Sequence, residues 1–211
     1  PTLYVADGHH RSAAAAKVRE LRKAANPAHS GDEEYNFFLT VIFPESQLNI
    51  MPYNRVVKDL NGRDYAQFLD QLAASFDIAP ASGAVVPTAR HQFGMYLERQ
   101  WYRLQAKPGI ADESNSVGRL DVSILQNRLL QPVLGIENPR TDKRISFVGG
   151  IRGVEELVRL VDSGDYQVAF SLYPTGIKEL MDLADDDQIM PPKSTWFEPK
   201  LRSGLFVHQL S

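Results

Sequence analysis

The sequence predicts an α+β protein in which helices pack against a mixed β-sheet. Strand-like and helix-like segments alternate only in the last third of the 211-residue chain. Earlier, two pairs of strand-like segments come before their helices, which is not the order of a regular parallel β-α-β series. A composition of 43% hydrophobic and 23% charged residues is that of an ordinary globular protein, so the chain can bury a core of this kind.

The first part of the chain predicts three strands and one helix. Residues 3–5 are apolar or aromatic and predict a short buried strand. Residues 12–25 carry apolar side chains at helical spacing and predict a helix that ends before a proline. Residues 35–43 are aromatic and β-branched and predict a strand, and residues 48–57 predict another that Pro52 breaks or confines to an edge.

The middle of the chain predicts a hairpin between two helices. An amphipathic helix is expected over residues 63–76, and a helix with apolar residues nearly all round over residues 117–134. Residues 79–88 are rich in Pro, Ala, Ser and Gly and predict a loop. Two short strands are expected at residues 93–97 and 101–104.

The last third predicts alternating strands and helices, followed by an irregular segment and a final strand. The expected elements are a strand at 145–148, a helix at 153–161, a strand at 166–173, a helix at 175–184, an irregular stretch at 190–200 and a strand at 205–210.

The domain organisation expected from the sequence is one α+β unit over residues 1–211. The polar segment 108–116 is the best candidate for an internal boundary. The chain begins with Pro1 rather than Met, inside a predicted strand, so we expect it to be the C-terminal part of a larger protein.

Composition excludes several classes of partner and chemistry. A net charge of −3 gives no overall attraction to nucleic acid or to an anionic membrane surface. No run approaches the roughly 18 apolar residues of a membrane span. The absence of cysteine excludes disulfides, thiolate metal sites and cysteine nucleophiles, and it fits a reducing cytoplasm. A small-molecule ligand is the partner expected, and the sequence leaves the oligomeric state open.

The clearest motif is a turn that leads into the first helix. It consists of Asp7, Gly8, His9, His10, Arg11 and Ser12. A turn at a helix N-terminus offers unpaired N–H groups and a positive dipole end, which bind phosphate. Arg11 can grip a phosphate in a bidentate fork, and Asp7 can hold a metal or accept a proton. The alternative is an ordinary Asp-capped turn with exposed histidines.

A second motif lies in the proline-rich stretch 190–200. It can present Lys193, Ser194, Thr195 and Lys200 to an anionic ligand, and so complete the first motif from the far end of the chain. The alternative is a structural connection that aromatic residues pin in place. Arg55 is a further candidate for a phosphate site, with an exposed surface arginine as the alternative.

Three stretches resemble the family known as domain of unknown function 1015. They are residues 4–11, residues 120–125, and residues 190–195 with Pro199-Lys200 and Gly204-Leu205. The first also resembles the phosphate-binding turn of the ParB/sulfiredoxin superfamily, so a ParB/sulfiredoxin-like element is expected at the start of the chain. The resemblance implies that Gly8, His10 and Arg11 hold a nucleotide phosphate.

The resemblance also limits the reactions that the protein is expected to catalyse. His9 stands where sulfiredoxin has its cysteine, so sulfiredoxin chemistry is excluded. The resemblance leaves a phosphotransferase similar to free-serine kinases. Such an enzyme would use Mg²⁺ and ATP or ADP. Asp7 and His9 are then the candidate catalytic residues, and Asp7 is also the candidate metal ligand. Asn54 and Gln126 stand where histidine is common in the family, which favours the alternative of a non-catalytic nucleotide- or metabolite-binding module. A metal-dependent hydrolase using Asp7, His9 and His10 is the third hypothesis.

Overall fold

The computed structural model describes residues 2–202 and 204–210, except for the side chain of His10. The chain divides into two units: Pro1–Asn49 together with Phe197–Ser211, and Ile50–Trp196. Residues 108–116, the expected boundary, lie inside the second unit. The expectation of one unit over residues 1–211 stays a prediction.

The first unit is built on one long helix, α1 (His9–Ala25). The predicted helix at 12–25 is confirmed and begins three residues earlier. Single 3₁₀ turns follow at Glu34–Asn36 and Glu45–Gln47.

The strands predicted at residues 3–5, 35–43 and 205–210 are wrong. Residues 35–43 illustrate the reason: Phe37 and Ile42 expose 56% and 67% of their surface. A strand exists only when its backbone N–H and C=O groups are paired with a neighbouring strand. β-propensity alone therefore does not make these segments strands.

A seven-stranded sheet is the main feature of the second unit. Its strands are β1 (Asn49–Val57), β2 (Phe76–Ala81), β3 (Gln92–Leu97), β4 (Gln100–Ala106), β5 (Ile145–Gly149), β6 (Val168–Leu172) and β7 (Thr195–Glu198). The order is β2-β4-β3-β6-β1-β5, and β7 also pairs with β1. The five pairings whose register is described are antiparallel. The predicted α+β class is confirmed, but the sheet, which was expected to be mixed, is antiparallel in all the pairings whose register is described.

Helices cover both faces of this sheet. They are α2 (Tyr65–Ala73), α3 (Asp121–Leu125), α4 (Glu155–Asp162) and α5 (Ile177–Asp185), and α3 continues as a π-helix over Gln126–Leu130. Val57 belongs to the core cluster shared with α2 and α3, whereas its neighbour Val56 belongs to the cluster shared with α4. Side chains of successive strand residues point to opposite faces, so one strand contributes to both cores. In the described part of the chain, none of the helices has the length and apolar character that a membrane crossing needs.

Two predicted irregular segments contain strands instead. Residues 79–88 were expected to be a loop, but β2 extends to Ala81, with Pro80 opposite Tyr102 of β4. Because β2 is an edge strand, a proline without an N–H donor is tolerated there. Residues 190–200 include β7. The helix predicted at 117–134 is buried as expected but is shorter, spanning α3 and the π-helix.

Gly94 allows β3 to pack against the chain segment at Val85. A β-carbon at Gly94 would lie 2.6 Å from the Val85 carbonyl oxygen and would also overlap Ser171 Oγ. The Ser171 hydroxyl donates a buried hydrogen bond to that same carbonyl, at 2.6 Å. Only glycine leaves room for this arrangement.

A partly buried polar cluster around Asp121 lies where the segment before β3 meets α3 and α5. Asp121 is 8% exposed and accepts a hydrogen bond from the His91 backbone N–H at 2.8 Å. Arg90 pairs with Glu179 at 3.0 Å and with Glu113 at 3.5 Å. Burial raises the pKa of Asp121 to about 7; the His91 N–H and Arg90 oppose this shift, and Glu179 and Glu113 add to it. Asp121 therefore destabilises the folded state when it is ionised.

We predict that Gly94→Ala destabilises the protein by at least about 2 kcal/mol, because the methyl group displaces Ser171 and breaks its buried hydrogen bond. Chemical denaturation measures the loss. Gly83→Ala is the matched control: no atom lies within 4 Å of a β-carbon there, so stability should be unchanged or slightly higher. Equal stability of the two variants would contradict the packing described for Gly94.

We predict that Asp121→Asn removes a decline in stability between pH 4 and pH 7. In this range the unfolded carboxyl, with a pKa near 3.8, is ionised, while the folded carboxyl, with a pKa of about 7, keeps its proton. The folded state then binds more protons, so stability falls as pH rises. At about 1.4 kcal/mol per pKa unit, the variant should exceed the native protein by up to roughly 4 kcal/mol at pH 8 and equal it near pH 4. Denaturation at each pH measures this difference; a difference that does not change with pH would contradict it.

Candidate functional site

The turn before α1 is set by the backbone of Gly8. Gly8 adopts φ 81° and ψ 25°, the left-handed region that favours glycine. Its carbonyl accepts hydrogen bonds from the Ser12 N–H at 2.9 Å and from Ser12 Oγ at 3.2 Å, which closes the first helical turn. The N–H groups of the residues that open α1 precede any helical carbonyl that they could bind. They are therefore available to a ligand.

Arg11 folds back over this turn. A β-carbon at Gly8 would lie 3.2 Å from Arg11 Nη2 and 3.3 Å from Nε, so the guanidinium rests against the bare α-carbon. Glycine is thus needed both for its backbone angle and for the space it leaves. The first turn of α1 holds no acidic residue. A cation at the positive end of a helix dipole makes this turn electropositive.

Asp7 connects the turn to the C-terminal segment of the same unit. Its Oδ1 accepts the Gly8 N–H at 2.8 Å, and its Oδ2 lies 3.0 Å from Lys200 Nζ. Burial raises the pKa of Asp7, but the hydrogen bonds from Lys200 and Gly8 and the charges of Lys200 and Arg11 outweigh it, so the net pKa lies below its ordinary value. Asp7 is therefore ionised at neutral pH and is a weak proton acceptor.

The structure describes the side chain of only one of the two histidines in the motif. His9 is the first residue of α1 and is exposed. The side chain of His10 lies outside the described part of the structure. The catalytic role of His9 and the phosphate-binding role of His10 stay predictions.

The remaining predicted site residues lie in the second unit, where the described contacts anchor a loop. Arg55 is 4% exposed, not a surface arginine, and burial lowers its pKa to about 9. Its guanidinium donates to the carbonyls of Tyr53 and, at 3.0 Å, Lys193. Lys193 Nζ lies 5.2 Å from the centre of the Tyr53 ring. These contacts hold the loop before β7 against β1.

Ser194 and Thr195 continue this loop. Ser194 is buried, and its Oγ donates to the Pro191 carbonyl at 2.6 Å. Thr195 begins β7 and is half-buried. The structure thus brings Asp7, Gly8, Arg11, Ser12 and Lys200 together in one unit, and Arg55 and the loop at 193–195 together in the other.

Asn54 and Gln126, which the resemblance sets against histidines, each form a hydrogen bond with the backbone through one side-chain atom. Asn54 is buried, and its Oδ1 accepts the Leu172 N–H at 3.1 Å, which ties β1 to the end of β6. Gln126 Nε2 donates to the Ile136 carbonyl at 2.7 Å. Neither side chain titrates near neutral pH.

No three His, Asp or Glu side chains in the described part of the chain form a group that could hold a metal ion. The metal-dependent hydrolase considered from the sequence also uses His10, whose side chain lies outside the described residues, so it stays a prediction.

Sequence reasoning missed the cluster around Asp121. Residues 120–125 stood out only as part of a family resemblance. The sequence did contain a signal: Asp121 is a carboxylate at the start of a strongly apolar helical stretch. A carboxylate in that position is expected to be buried, and burial shifts its pKa.

Comparison with solved structures gives low identities and partial coverage. A free serine kinase mutant in complex with AMP is 14% identical, with a TM-score of 0.48; the match covers 92% of this chain and 66% of that chain. The free serine kinase in complex with AMP gives the same identity and coverage, with a TM-score of 0.47. A conserved hypothetical protein from Pyrococcus furiosus is also 14% identical, with a TM-score of 0.46 and coverage of 92% and 68%. At TM-scores below 0.5 these likenesses carry no functional argument.

Comparison with curated proteins gives no match. The sequence pattern of one protein family, described as "Protein of unknown function (DUF1015)", matches residues 1–123, which is more than half of the chain. The chain therefore belongs to the DUF1015 family.

Proposed function

We propose that the turn at residues 8–12 binds the phosphate of a nucleotide, ATP or ADP, or of another phosphorylated small molecule. The observation that carries this proposal is the position of Arg11. Its guanidinium lies against Gly8, at the helix end where backbone N–H groups are free of helical partners.

The donors at this turn match the chemistry of a phosphate. Backbone N–H groups at a helix N-terminus and an arginine fork are both established ways of holding a doubly charged oxyanion. Lys200 adds a second cation beside Asp7. The Ser12 hydroxyl, which now donates to Gly8, also accepts hydrogen bonds. Together these groups satisfy several phosphate oxygens at once.

A phosphotransferase activity is the finer form of this proposal. Mg²⁺ binds through one or two carboxylates together with substrate phosphates, and Asp7 supplies one such oxygen ligand. Asp7 Oδ2 is engaged with Lys200 Nζ at 3.0 Å, so a divalent ion at that oxygen would displace the lysine. Asp7 suits this charge-holding role better than that of a general base, because its pKa is lowered.

A non-catalytic nucleotide- or metabolite-binding module is the second candidate. Asn54 Oδ1 accepts a backbone N–H and Gln126 Nε2 donates to a backbone carbonyl, while the buried Gln126 Oε1 has no described partner. Neither amide can transfer protons as a histidine does. Incubation of the protein with ATP, Mg²⁺ and a mixture of small-molecule acceptors, followed by mass spectrometry, separates the two candidates. A phosphorylated product rejects the binding module, and binding without product supports it.

We predict that Arg11→Gln weakens ADP binding by at least about tenfold, because the variant loses a bidentate, charge-assisted contact. Isothermal titration calorimetry with ADP and Mg²⁺ measures the affinity.

The matched control is Lys17→Gln. Lys17 is exposed on the same helix, two turns from the start, and the substitution changes the net charge equally. Its affinity should change by less than about twofold, since long-range charge is screened by salt. Equal losses in both variants, or no loss in Arg11→Gln, would contradict the assignment of the phosphate to this turn.

A further inference from the structure

A cavity of about 460 Å³ lies in the second unit, apart from the residues of the proposed phosphate turn. Its volume is within the range of about 300–1,000 Å³ that is typical of small-molecule sites. One wall is the loop that carries Asp112 and Asn115, and another is the helical segment with Ser123, Asn127 and Arg128.

Ser123 lines this cavity with a hydroxyl for which no protein hydrogen bond is described. The residue is only 5% exposed, and among residues 2–202 and 204–210 its Oγ forms no hydrogen bond. Its oxygen is not among the described atoms that are both fully buried and unpartnered, so a ligand or a water molecule in the cavity can reach it. Ser123 therefore marks this wall as one that receives a polar group.

Arg128 is an exposed residue that supplies a positive charge on the same wall. In the described part of the chain its guanidinium forms no ion pair, so it can pair with an anion without breaking an existing contact. Asn127, beside it, has no described side-chain hydrogen bond either. Both residues belong to the π-helix Gln126–Leu130. Single π-helical turns are rare and occur frequently at functional sites.

The loop that lines the cavity presents one further donor, and its Asp112 carboxylate already accepts hydrogen bonds. Asn115 Oδ1 accepts the N–H groups of Val117 at 2.9 Å and Gly118 at 2.8 Å, which leaves its amino group as a donor. Asp112 Oδ1 accepts from Ser114 Oγ at 2.6 Å and from the Ser114 N–H. The groups without partners are thus mostly donors, and one of them is a guanidinium.

We propose that this cavity binds a small organic anion through its carboxylate or phosphate group, with Arg128 as the charge partner and Ser123, Asn127 and Asn115 as neutral hydrogen-bond donors. The site shares no residue with the turn at 8–12. Its ligand is therefore bound independently of the phosphate proposed for that turn.

Nuclear magnetic resonance of the whole ¹⁵N-labelled chain tests this site residue by residue. Two probes are added separately, succinate for a carboxylate ligand and inorganic phosphate for a phosphate ligand. We expect at least one probe to shift the amide signals of Gly118 and Ser123 and the side-chain amides of Asn115 and Asn127 along a single saturating curve. Signals of residues 8–12 report the other site separately, so the two proposals fail independently.

Two variants and one control identify the groups responsible. Arg128→Gln should weaken binding of the probe at the cavity by at least about tenfold, and Ser123→Ala should weaken it by a few-fold. Arg103→Gln changes the net charge equally at an exposed position of β4, outside the cavity, and should leave the affinity within about twofold. The unperturbed remainder of each spectrum shows that the variant is folded.

Two outcomes would overturn the proposal. One is that neither probe shifts the cavity signals, which would mean that Ser123 is satisfied by water alone. The other is equal affinity in the Arg128→Gln and Arg103→Gln variants, which would mean that the probe responds to net charge and not to this cavity.

Discussion

Strand β1 is the constraint on which most of the sheet depends, because it is paired along both edges and buried on both faces. Val56 lies opposite Ser146 of β5 on one side and Ala169 of β6 on the other. Val56 and Val57 are fully buried in different core clusters. A polar substitution at either position would therefore disturb a sheet pairing and a core at the same time.

Two polar residues of the same strand bind backbone groups of neighbouring segments. Asn54 ends the pairing with β6 by accepting the Leu172 N–H, and Arg55 holds the loop before β7 through the Lys193 carbonyl. Both residues are almost completely buried. Arg55, which the sequence marks as a candidate for a phosphate site, thus binds backbone carbonyls, as buried polar groups commonly do.

The turn before α1 presents the opposite case, in which polar groups remain accessible. Gly8 provides the left-handed angle and the space for Arg11, and the helix provides N–H groups without helical acceptors. Asp7 would repel a phosphate if its charge were not balanced, and Lys200 balances it. The ion pair between exposed side chains adds little to stability, so a ligand can rearrange it at small cost.

The sequence predicts features that depend on local pattern and misses those that depend on distant partners. Helical periodicity correctly placed α1, α2, α4 and α5, and Gly8 with Arg11 marked the turn at the start of α1. Residues 35–43 have the composition of a strand, but no strand pairs with them, so they do not form one. Part of β2 has the composition of a loop, but it forms a strand because it pairs with β4. The contact between Lys200 and Asp7 joins residues 193 positions apart, a separation that no periodicity encodes. The burial of Asp121 likewise follows from the packing of three segments around it.

Amide hydrogen exchange of the α1 N-terminus, with and without ADP, tests the central claim most directly. The N–H groups of His9, His10 and Arg11 have no helical acceptor, so they should exchange rapidly in the free protein. If a phosphate binds these groups, their exchange should slow at least about tenfold in saturating ADP and Mg²⁺, while the end of α1 near Ala25 changes little. Unchanged exchange at His9–Arg11 under conditions where ADP demonstrably binds would contradict the account.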